Sequence, residues 1–584
     1  MKNPQAPILD RLAGLETEYV LGYQPLAAEG SCPSKFQLYQ SLIEQLRRTV
    51  LTVAAKHFKE GVFCATGGAV WFESERPSSG AGLVEGSTPE CRGARQLLAY
   101  QRAQDQMLSE ASLQANVPGE FRLIKNDRDG RGNVYGAQEN YEATIATGWR
   151  LLLWRMGLIL ILPTAAVAWL GFVAMILTTL CYFALASVVL FLTPKKWRGS
   201  EQFIVALLGH DWYSGQNTGH PSPRWLEGML SIAARVISFP LAAAFYCLAS
   251  VTLFYETRRR LLPFLASRPI LAGSGRVAED GAFYLADKAH AMNCVLGFGG
   301  ILWERPIFNL GHFFKALCME IPFAPADYVD LFATRQRLQI GIGDSNMSEV
   351  AEYLRIGTTM LVLDVIEAGE LPRAPNLVRP IRALHEICED PSLQKRVSLE
   401  KGDATAIELQ RFYLDACRSF VERRPDAPHE AKEILRLWED CLEQLETAPE
   451  SLGGTLDWVS KKFLLDNLEE GASWEARKKL DIRYHELSPE GYFERLRQVG
   501  VVPSILTADE IDRARRSPPS ESPATMRGHY IREFSDGKEA LTVNWKAVFI
   551  GNGRNARVVR LSEYARRSTV LPPPDNGPEV EHLD

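Results

Sequence analysis

This sequence has few cysteines, and none of them is arranged as a metal or disulfide framework. The ten cysteines are scattered singly between Cys32 and Cys441, with no CxxC pair and no Cys/His cluster at zinc-finger spacing. This pattern excludes a zinc finger and a disulfide-stabilised secreted scaffold, and we expect reduced, mostly buried thiols in a cytosolic compartment. The first ten residues contain no long apolar stretch, so we expect no cleavable secretion signal.

A basic surface for nucleic acids is also missing. The formal net charge is −6, and no run of basic residues is interleaved with aromatic ones. We therefore expect no nucleic-acid partner. The chain is 46 % hydrophobic and 10 % aromatic, which is enough for a large core. Its 584 residues suggest about two to four domains.

Two long apolar segments interrupt this globular composition. Met156 to Leu192 contains no charged residue, and Val236 to Tyr255 lies between Arg235 and Arg258. Because about 20 consecutive apolar residues are enough to cross a bilayer as a helix, both segments are transmembrane candidates. The alternative interpretation is a buried helical hairpin inside a large soluble core.

A pair of glutamates near the N-terminus is the first candidate site. Glu16 and Glu18 are two positions apart among apolar neighbours, so on a β-strand both carboxylates point to one face of the sheet. Two neighbouring anions require a cation, and hard oxygen ligands suit Mg²⁺ that is shared with nucleotide phosphates. The alternative is an ordinary solvated strand face.

Several runs of sequence, taken in order, resemble a known family. The first four are Gly14–Tyr19 (GLETEY), Ser87–Cys91 (STPEC), Lys125–Tyr141 (KNDRDGRGNVYGAQENY) and Gly341–Met347 (GIGDSNM). Further matches are Arg260–Arg268, Gly273–Val277, Arg305–Ile307, Asp457–Val459 and Tyr484–His485. On these motifs the chain is identified as a member of the family of Pup ligases and Pup deamidases/depupylases, relatives of the glutamine synthetase-type carboxylate–amine ligases. The resemblance covers about four fifths of the chain.

The resemblance implies an α+β fold, with a curved, mainly antiparallel glutamine synthetase-like sheet and backing helices. The apolar block splits the family motifs, since Tyr141 precedes it and Arg260 follows it. We therefore expect inserted transmembrane helices within one catalytic domain. The expected divisions are the first half of the catalytic domain, 1–148; an inserted membrane module, 149–257; the second half of the catalytic domain, 258–500; a small C-terminal α+β domain, 501–567; and a disordered tail, 568–584.

Both flanks of such an insertion must end on the same side of the membrane, so the number of crossings must be even. In one solution Met156 to Leu192 is a long first helix and the second segment returns, with residues 194–228 outside. In the other, the first segment folds into a tight two-span hairpin and the second lies along the interface. The basic residues of 195–198 favour the second solution, because such residues tend to stay cytoplasmic. Pro163 and the short spans favour the first, which we prefer.

The resemblance assigns a catalytic residue and metal ligands. Glu73 stands where the ligases carry a catalytic Asp at the end of a strand, and it is the expected base that deprotonates the attacking amine or orients water. Its carboxylate lies one methylene further out, and a shift of about 1 Å can cost roughly a hundredfold in rate. The expected metal ligands are Glu16, Glu18, Glu85 and Glu139, with Glu85 or Glu90 shaping the site.

The resemblance also assigns a nucleotide site. Arg268, Ser345 and Asn346 are the expected cofactor-binding residues. Gly343 to Glu349 matches the family and opens an apolar helix, and backbone amides at a helix N-terminus favour an anion or a substrate carboxylate. The alternative is a capped helix, with Ser345 or Asn346 as its cap.

Two departures from the family pattern bear on activity. Gln138 stands where the family has histidine, and it cannot take up or release a proton as histidine does. The family segment that should follow Ile307 is replaced by Leu310 to Asp330, and in the relatives it lies near the nucleotide and peptide site. These departures keep open an alternative to an active enzyme: a catalytically degenerate, membrane-tethered adaptor that binds Pup or nucleotide.

By resemblance, the reaction is ATP- and Mg²⁺-dependent activation of a carboxylate. A γ-glutamyl phosphate would form on the C-terminal Glu of the small modifier Pup and be attacked by a substrate lysine, which is pupylation. The deamidase/depupylase reaction is the alternative, and the short segment between Tyr19 and Gly67 favours the ligase. A small-molecule glutamate ligase has the same fold but lacks the support of these motifs.

The cofactors and partners follow from the same resemblance. ATP and Mg²⁺ are the expected cofactors. Pup, lysine-bearing protein substrates, the proteasome pathway and membrane lipid are the expected partners. We expect the protein at the inner (cytoplasmic) membrane, with its catalytic domain facing the cytoplasm.

Overall fold

The computed structural model describes most of the chain. The described residues are 7–26, 32–57, 59–73, 82–125, 127–128, 134–194, 200–209, 222–299, 304–320, 326–535, 537, 539–551, 557–561 and 581–582.

Helices make up most of the regular structure. In chain order they are α1 Lys35–Thr49, α2 Ala94–Leu113, α3 Gly148–Leu192, α4 Glu201–Leu208, α5 Arg224–Val251, α6 Tyr255–Ser267, α7 Pro269–Ala272, α8 Gly311–Lys315, α9 Ala326–Asp330, α10 Glu349–Glu367, α11 Pro380–Cys388, α12 Ala406–Glu422, α13 His429–Thr447, α14 Asp457–Asp466, α15 Trp474–Tyr484, α16 Tyr492–Gln498, α17 Ala508–Arg516 and α18 Pro523–Glu533. A π-helical turn, Ala316–Glu320, continues α8.

The strands are shorter and lie mostly outside the long helical regions. They are β1 Leu12–Pro25, β2 Thr52–Ala55, β3 Gly61–Cys64, β4 Ala69–Glu73, β5 Leu83–Ser87, β6 Cys91–Arg92, β7 Gly119–Ile124, β8 Gln138–Thr144, β9 Arg276–Val277, β10 Phe283–Tyr284, β11 Cys294–Gly297, β12 Pro306–Asn309, β13 Arg335–Ile340, β14 Val397–Ser398, β15 Asp403–Ala404, β16 Leu541–Val543, β17 Ala547–Ile550, β18 Arg557–Arg560 and β19 Glu581–His582.

One large sheet organises the molecule. Its order is β11-β12-β13-β8-β1-β5-β4-β3-β2-β16-β17-β18-β19, with β6 and β7 also paired to β1. The pairings are antiparallel except for β11 with β12 and β16 with β2. The predicted α+β class, with a mainly antiparallel sheet and backing helices, is confirmed.

Strand β1 runs through the middle of this sheet and shows why its two faces differ. Leu15, Thr17, Tyr19 and Leu21 alternate with more exposed residues and are fully buried or nearly so. This period of two sends every second side chain to the same face. The buried face packs against α2, where the Tyr19 hydroxyl donates a hydrogen bond to Asp105 Oδ1 at 2.7 Å. The other face carries the charged side chains of the strand.

The predicted C-terminal domain shares this sheet. Strand β16 pairs with β2, and β17 and β18 extend the sheet further. The Arg527 guanidinium joins this C-terminal part to the rest of the sheet. It donates to both carboxylate oxygens of Glu90, at 2.7 and 2.9 Å, and to the Gly67 carbonyl. The domain boundaries stay a prediction. Most of the predicted tail lies outside the described residues, although Glu581–His582 pairs with β18.

Helices α3 and α5 form an antiparallel pair that leaves the body of the molecule. Helix α3 has 45 residues and is roughly 67 Å long at 1.5 Å per residue. Gly171 allows the pair to pack closely, since a Cβ there would lie 2.7 Å from Ile237. The most apolar stretch of α3 is only 6 % buried, and Leu160, Leu170 and Phe191 are among its exposed side chains.

The uninterrupted course of α3 corrects one of the two topologies weighed for this segment. A tight two-span hairpin within Met156 to Leu192 requires a break, and α3 is continuous through Pro163. The basic residues 195–198, which favoured the hairpin, lie outside the described residues.

The base of the α3–α5 pair packs against the segment that replaces a family motif. Trp154 is fully buried, donates from Nε1 to the Leu331 carbonyl at 2.8 Å and contacts Phe313 edge-on. Further along α3, Trp169 Nε1 donates to the Leu317 carbonyl at 2.9 Å. The insertion and the replaced segment therefore form one packed unit.

Candidate functional site

Four glutamates share the polar face of the large sheet, and we call this surface the carboxylate face. Glu16 and Glu18 project from β1, and Glu85 on β5 is directly opposite Glu18. Glu73 ends β4 on the same face, since Trp71, two residues earlier, pairs with Glu85. Directly opposed like charges destabilise a sheet unless a cation separates them.

A lysine from the loop after β2 supplies such a cation. The Lys59 ammonium group contacts Glu73 Oε2 and lies 3.3 Å from Glu85 Oε2. The side chains of Glu73 and Glu85 are 22 % and 13 % exposed, so the contacts are partly shielded from water. Lys59 is a member of the site that the sequence did not reveal, because a loop lysine carries no pattern.

The carboxylates influence one another electrostatically. Burial raises the pKa of Glu85 to about 8, with the Glu16 carboxylate as the next contribution, while Lys59 opposes the rise. The negative charges of Glu73 and Glu18 add to it. A cation placed among these groups would therefore stabilise the charged form of Glu85.

Polar side chains from neighbouring strands hold Glu16. Asn140 Nδ2 lies 3.2 Å from Glu16 Oε1, and Gln339 Nε2 lies 3.2 Å from Oε2. Arg337 Nη1 lies 3.3 Å from Oε1. Gln339 also donates to Gln138 Oε1 at 2.8 Å, so the residue at the family's histidine position faces the site. The alternation of Arg335, Arg337 and Gln339 was the missed signal for this polar row.

The predicted role of Glu139 as a metal ligand with Glu16 and Glu18 is wrong. Gln138 is opposite Glu16 in the ladder, so Glu139 points to the other face of the sheet. There it is completely buried and accepts two hydrogen bonds from Arg268, at 2.5 and 2.9 Å. Although burial favours the neutral acid, the Arg268 and Arg355 charges lower the pKa of Glu139. Its carboxylate is an internal counter-ion.

The same contacts correct the predicted nucleotide role of Arg268. Arg268 is 2 % exposed, and its guanidinium also donates to Thr359 Oγ1 at 2.6 Å. Gly343 keeps this region closely packed, because a Cβ there would lie 2.8 Å from Glu139 Oε1. A side chain enclosed in this way offers no surface to a nucleotide.

Ser345 and Asn346 are likewise fully buried, which corrects their assignment to the nucleotide site. The Ser345 backbone amide donates to Asp127 Oδ1 at 2.8 Å, and Asn346 Nδ2 donates to Asp457 Oδ2 at 3.0 Å. The expected anion at the N-terminus of α10 is Asp457 of the chain itself, which accepts from the Ser348 amide at 3.1 Å. The cap is Ser348 and neither of the two residues considered.

The Glu90 carboxylate is paired with the Arg527 guanidinium, and its role in shaping the site stays a prediction. Glu16, Glu18, Glu73 and Glu85 therefore remain as the site residues that the structure brings together. Carboxylate oxygens of this number and type suit Mg²⁺. Within the residues that the structure describes, however, no three Asp, Glu, His or Cys side chains converge closely enough to hold a metal ion. The donors fit in type, and Lys59 lies between two of them, Glu73 and Glu85.

Comparison with known proteins identifies a matching family and several relatives of this chain. A family model described as Pup-ligase protein matches residues 11–549. A Pup deamidase/depupylase of Mycolicibacterium smegmatis is 32 % identical over 324 residues, which cover 54 % of this chain and 61 % of that protein. A depupylase of Acidothermus cellulolyticus is 33 % identical over 317 residues, covering 52 % and 59 %. A Pup–protein ligase of Acidimicrobium ferrooxidans is 32 % identical over 330 residues, covering 54 % and 65 %.

These alignments span less than two thirds of each relative. Solved structures resemble the chain over a greater length. The complex of the prokaryotic ubiquitin-like protein Pup with its ligase PafA has a TM-score of 0.63 at 20 % identity, covering 96 % of this chain and 92 % of that one. The complex of the ligase PafA with ADP has a TM-score of 0.56 at 19 % identity, covering 93 % of both chains. At this level of identity the likeness establishes the fold.

Proposed function

This chain belongs to the Pup-ligase protein family, and from that premise we propose that it is an ATP- and Mg²⁺-dependent enzyme that processes Pup. The observation that carries the proposal is the carboxylate face. Four glutamates on three adjacent strands form a surface suited to a divalent cation and the phosphates of a nucleotide. The structural neighbour named as a complex with ADP supports the nucleotide.

Each carboxylate has a task in this scheme. Glu16, Glu18 and Glu85 would hold Mg²⁺, which when bound neutralises phosphate charge during phosphoryl transfer. Glu73, at the end of β4 and beside the other carboxylates, is the base for the attacking group. In the ligase direction it takes a proton from a lysine amine of the protein substrate, and in the hydrolytic direction it orients water.

We propose the ligase reaction, which joins the C-terminal Glu of Pup to lysines of protein substrates for the proteasome pathway. The neighbour named as a complex between Pup and its ligase supports this direction. The second candidate is deamidation or depupylation, and the relatives with those names favour it. Both directions use the same carboxylates.

We further propose that α3 and α5 anchor the enzyme in the inner (cytoplasmic) membrane. Both helices are long and apolar enough to cross a bilayer, and most of their apolar surface is exposed. Their antiparallel packing returns the chain to the sheet on the side from which it left, so both halves of the catalytic domain lie on one side of the membrane, and we place that side in the cytoplasm. Membrane lipid is then a partner of these exposed side chains.

A protease-protection assay tests the anchor. An epitope tag inserted at Gln216, outside the described residues, is expected to be cleaved by protease added to right-side-out vesicles and to be protected in inverted ones. A tag that is accessible only from the cytoplasm would contradict the two-crossing arrangement.

The reaction is tested by the intact mass of Pup, in forms ending in Glu and in Gln. The full-length protein in detergent is incubated with ATP, Mg²⁺ and a lysine-bearing acceptor. Conjugates establish the ligase, and conversion of Gln to Glu establishes the deamidase. Glu16→Ala is expected to abolish either result, whereas Glu120→Ala, an exposed glutamate of the same sheet, is expected to leave it unchanged.

Nucleotide binding without any change in Pup would contradict the enzyme proposal. That result would favour the alternative of a membrane-tethered adaptor, which Gln138 and the replaced segment after Ile307 leave open.

A further inference from the structure

Lys59 supplies a positive charge to two of the four glutamates of the carboxylate face. Its ammonium group bridges Glu73 on β4 and Glu85 on β5, two carboxylates that share a face with Glu16 and Glu18. The lysine itself belongs to the loop between β2 and β3, so it reaches the site from outside the strands that carry the glutamates. One loop thus neutralises charge that two strands bring together.

A lysine is suited to temporary neutralisation. Its ammonium is a compact point charge on a flexible chain, unlike the planar guanidinium that binds a carboxylate through two parallel bonds. The Lys59 side chain is 35 % exposed, so water reaches it and it can move outwards without leaving a sealed cavity. Glu139, by contrast, has a guanidinium partner that is buried and bidentate.

The geometry of the carboxylates agrees with a competing cation. Glu16 and Glu85 are turned to different positive partners, Arg337 and Lys59 respectively. In the described part of the chain no three ligating side chains converge on one point. Glu85 is both a proposed metal ligand and a partner of Lys59, so a divalent ion and Lys59 compete for its carboxylate.

We propose that Lys59 is a built-in counter-ion that closes the metal site, and that Mg²⁺ binds by displacing it from Glu73 and Glu85. The inference rests on the proposed function, because it concerns the same carboxylates. Displacement has a second result: Glu73 loses its ammonium donor and becomes available to the attacking amine or water. Lys59 is thus a positioning residue that couples metal binding to the release of the base.

Two variants test the displacement, with Mn²⁺ as the probe and electron paramagnetic resonance to count the unbound ion. Lys59→Met keeps the length of the chain and removes its charge. It is expected to bind Mn²⁺ about three- to tenfold more tightly than the wild type, since the competing cation is gone. Lys56→Met is the matched control, because Lys56 lies in the same loop over the Phe549 ring, and it is expected to match the wild type.

Thermal unfolding gives an independent readout. Without metal, Lys59→Met is expected to melt at a lower temperature than the wild type, because the carboxylates repel one another. Saturating Mg²⁺ is expected to raise its melting temperature more than that of the wild type. Equal or weaker Mn²⁺ binding by a folded Lys59→Met protein would overturn the proposal.

Lys59→Arg keeps the test decisive if the methionine variant does not fold. A guanidinium holds paired carboxylates more firmly, so Mn²⁺ is expected to bind about threefold or more weakly than to the wild type. Unchanged or tighter binding would overturn the proposal. If neither the wild type nor any variant binds Mn²⁺, the carboxylates are not a metal site, and the proposed function is contradicted as well. If the wild type binds Mn²⁺ and all variants bind it equally, only the proposed role of Lys59 is contradicted.

Discussion

Arg268 and Glu139 form a two-bond ion pair in the interior, on the side of β8 that faces away from the carboxylate face. Arg268 Nη2 lies 2.5 Å from Glu139 Oε1, and Nη1 lies 2.9 Å from Oε2. The neighbours of Glu139 on β8, Gln138 and Asn140, point the opposite way and contact the residues around Glu16. The pair therefore fixes the strand on which part of the site is built.

The first prediction concerns the stability that this pair provides. Glu139→Gln leaves the Arg268 charge buried without an anionic partner, and breaking a buried pair in this way costs about 3–5 kcal/mol. Urea unfolding of the detergent-solubilised protein measures the loss. Glu386→Gln, which removes a surface partner of Arg382, is the control and should change stability by less than about 1 kcal/mol. A stable Glu139→Gln protein that no longer binds Mn²⁺ would restore Glu139 as a metal ligand.

A second prediction concerns Glu73 as the base. Glu73→Gln should lower the rate of Pup turnover by about 10²- to 10⁴-fold, the usual contribution of a positioned acid or base, while nucleotide binding persists. Glu73→Asp should lose less, because it retains a carboxylate and is the residue that the family resemblance implies at this position. Glu60→Gln changes an exposed glutamate just before β3 and serves as the control. The rate is measured from the intact mass of Pup over time, and full activity of Glu73→Gln would remove it from the mechanism.

His485 predicts a dependence of stability on pH. Lys461 Nζ lies 2.9 Å from His485 Nε2 in a fully buried setting. Burial, followed by the charges of Lys461 and Lys125, lowers the pKa of His485 well below its usual range. Below about pH 6.5 this histidine is therefore protonated in the unfolded chain but stays neutral in the folded chain. The contribution of His485 to the free energy of unfolding is fully present above about pH 6.5 and falls by about 1.4 kcal/mol for each pH unit below it.

Urea unfolding between pH 7.5 and 5 tests this slope. In the His485→Gln variant the slope of the unfolding free energy against pH should be smaller by about 1.4 kcal/mol per pH unit, whatever the stability of the variant at neutral pH. His529→Gln, at a largely exposed position, should retain the wild-type slope. Identical slopes for the wild type and His485→Gln would mean that His485 is charged in the folded state.

The final prediction separates the base of the α3–α5 pair from its exposed surface. Trp154→Ala removes a fully buried indole and its hydrogen bond to the Leu331 carbonyl, and should destabilise the protein by about 3–5 kcal/mol. Leu160→Ala, at a position that is 74 % exposed, should change stability by less than about 0.5 kcal/mol. Denaturant unfolding in detergent compares them, and the reverse ranking would show that the helix pair is not packed on the catalytic domain.

Much of the architecture was predictable because it depends on local pattern. Alternation in β1 placed Glu16 and Glu18 on one face, and the family motifs indicated the mainly antiparallel sheet with backing helices. The long apolar segments appear as α3 and α5, with the first one continuous. The membrane anchor and the domain boundaries stay predictions.

Positions that depend on packing were not predictable. Ser345 and Asn346 belong to a motif that a helix follows, yet the anion at that helix is Asp457, more than a hundred residues later. Distant partners of this kind leave no periodic signal. The replaced segment around Phe313 could not be matched to the base of α3 for the same reason.

The sequence alone therefore determined the family, the sheet and the shared face of Glu16 and Glu18, since motif order and a period of two survive without tertiary contacts. Only the tertiary structure decided the membership of the site. The register of β8 against β1 puts Gln138 opposite Glu16, and a shift of one residue would have exchanged the faces of Gln138 and Glu139. The path of the loop after β2 brings Lys59 to Glu73 and Glu85, and loop paths follow from packing that no local pattern encodes.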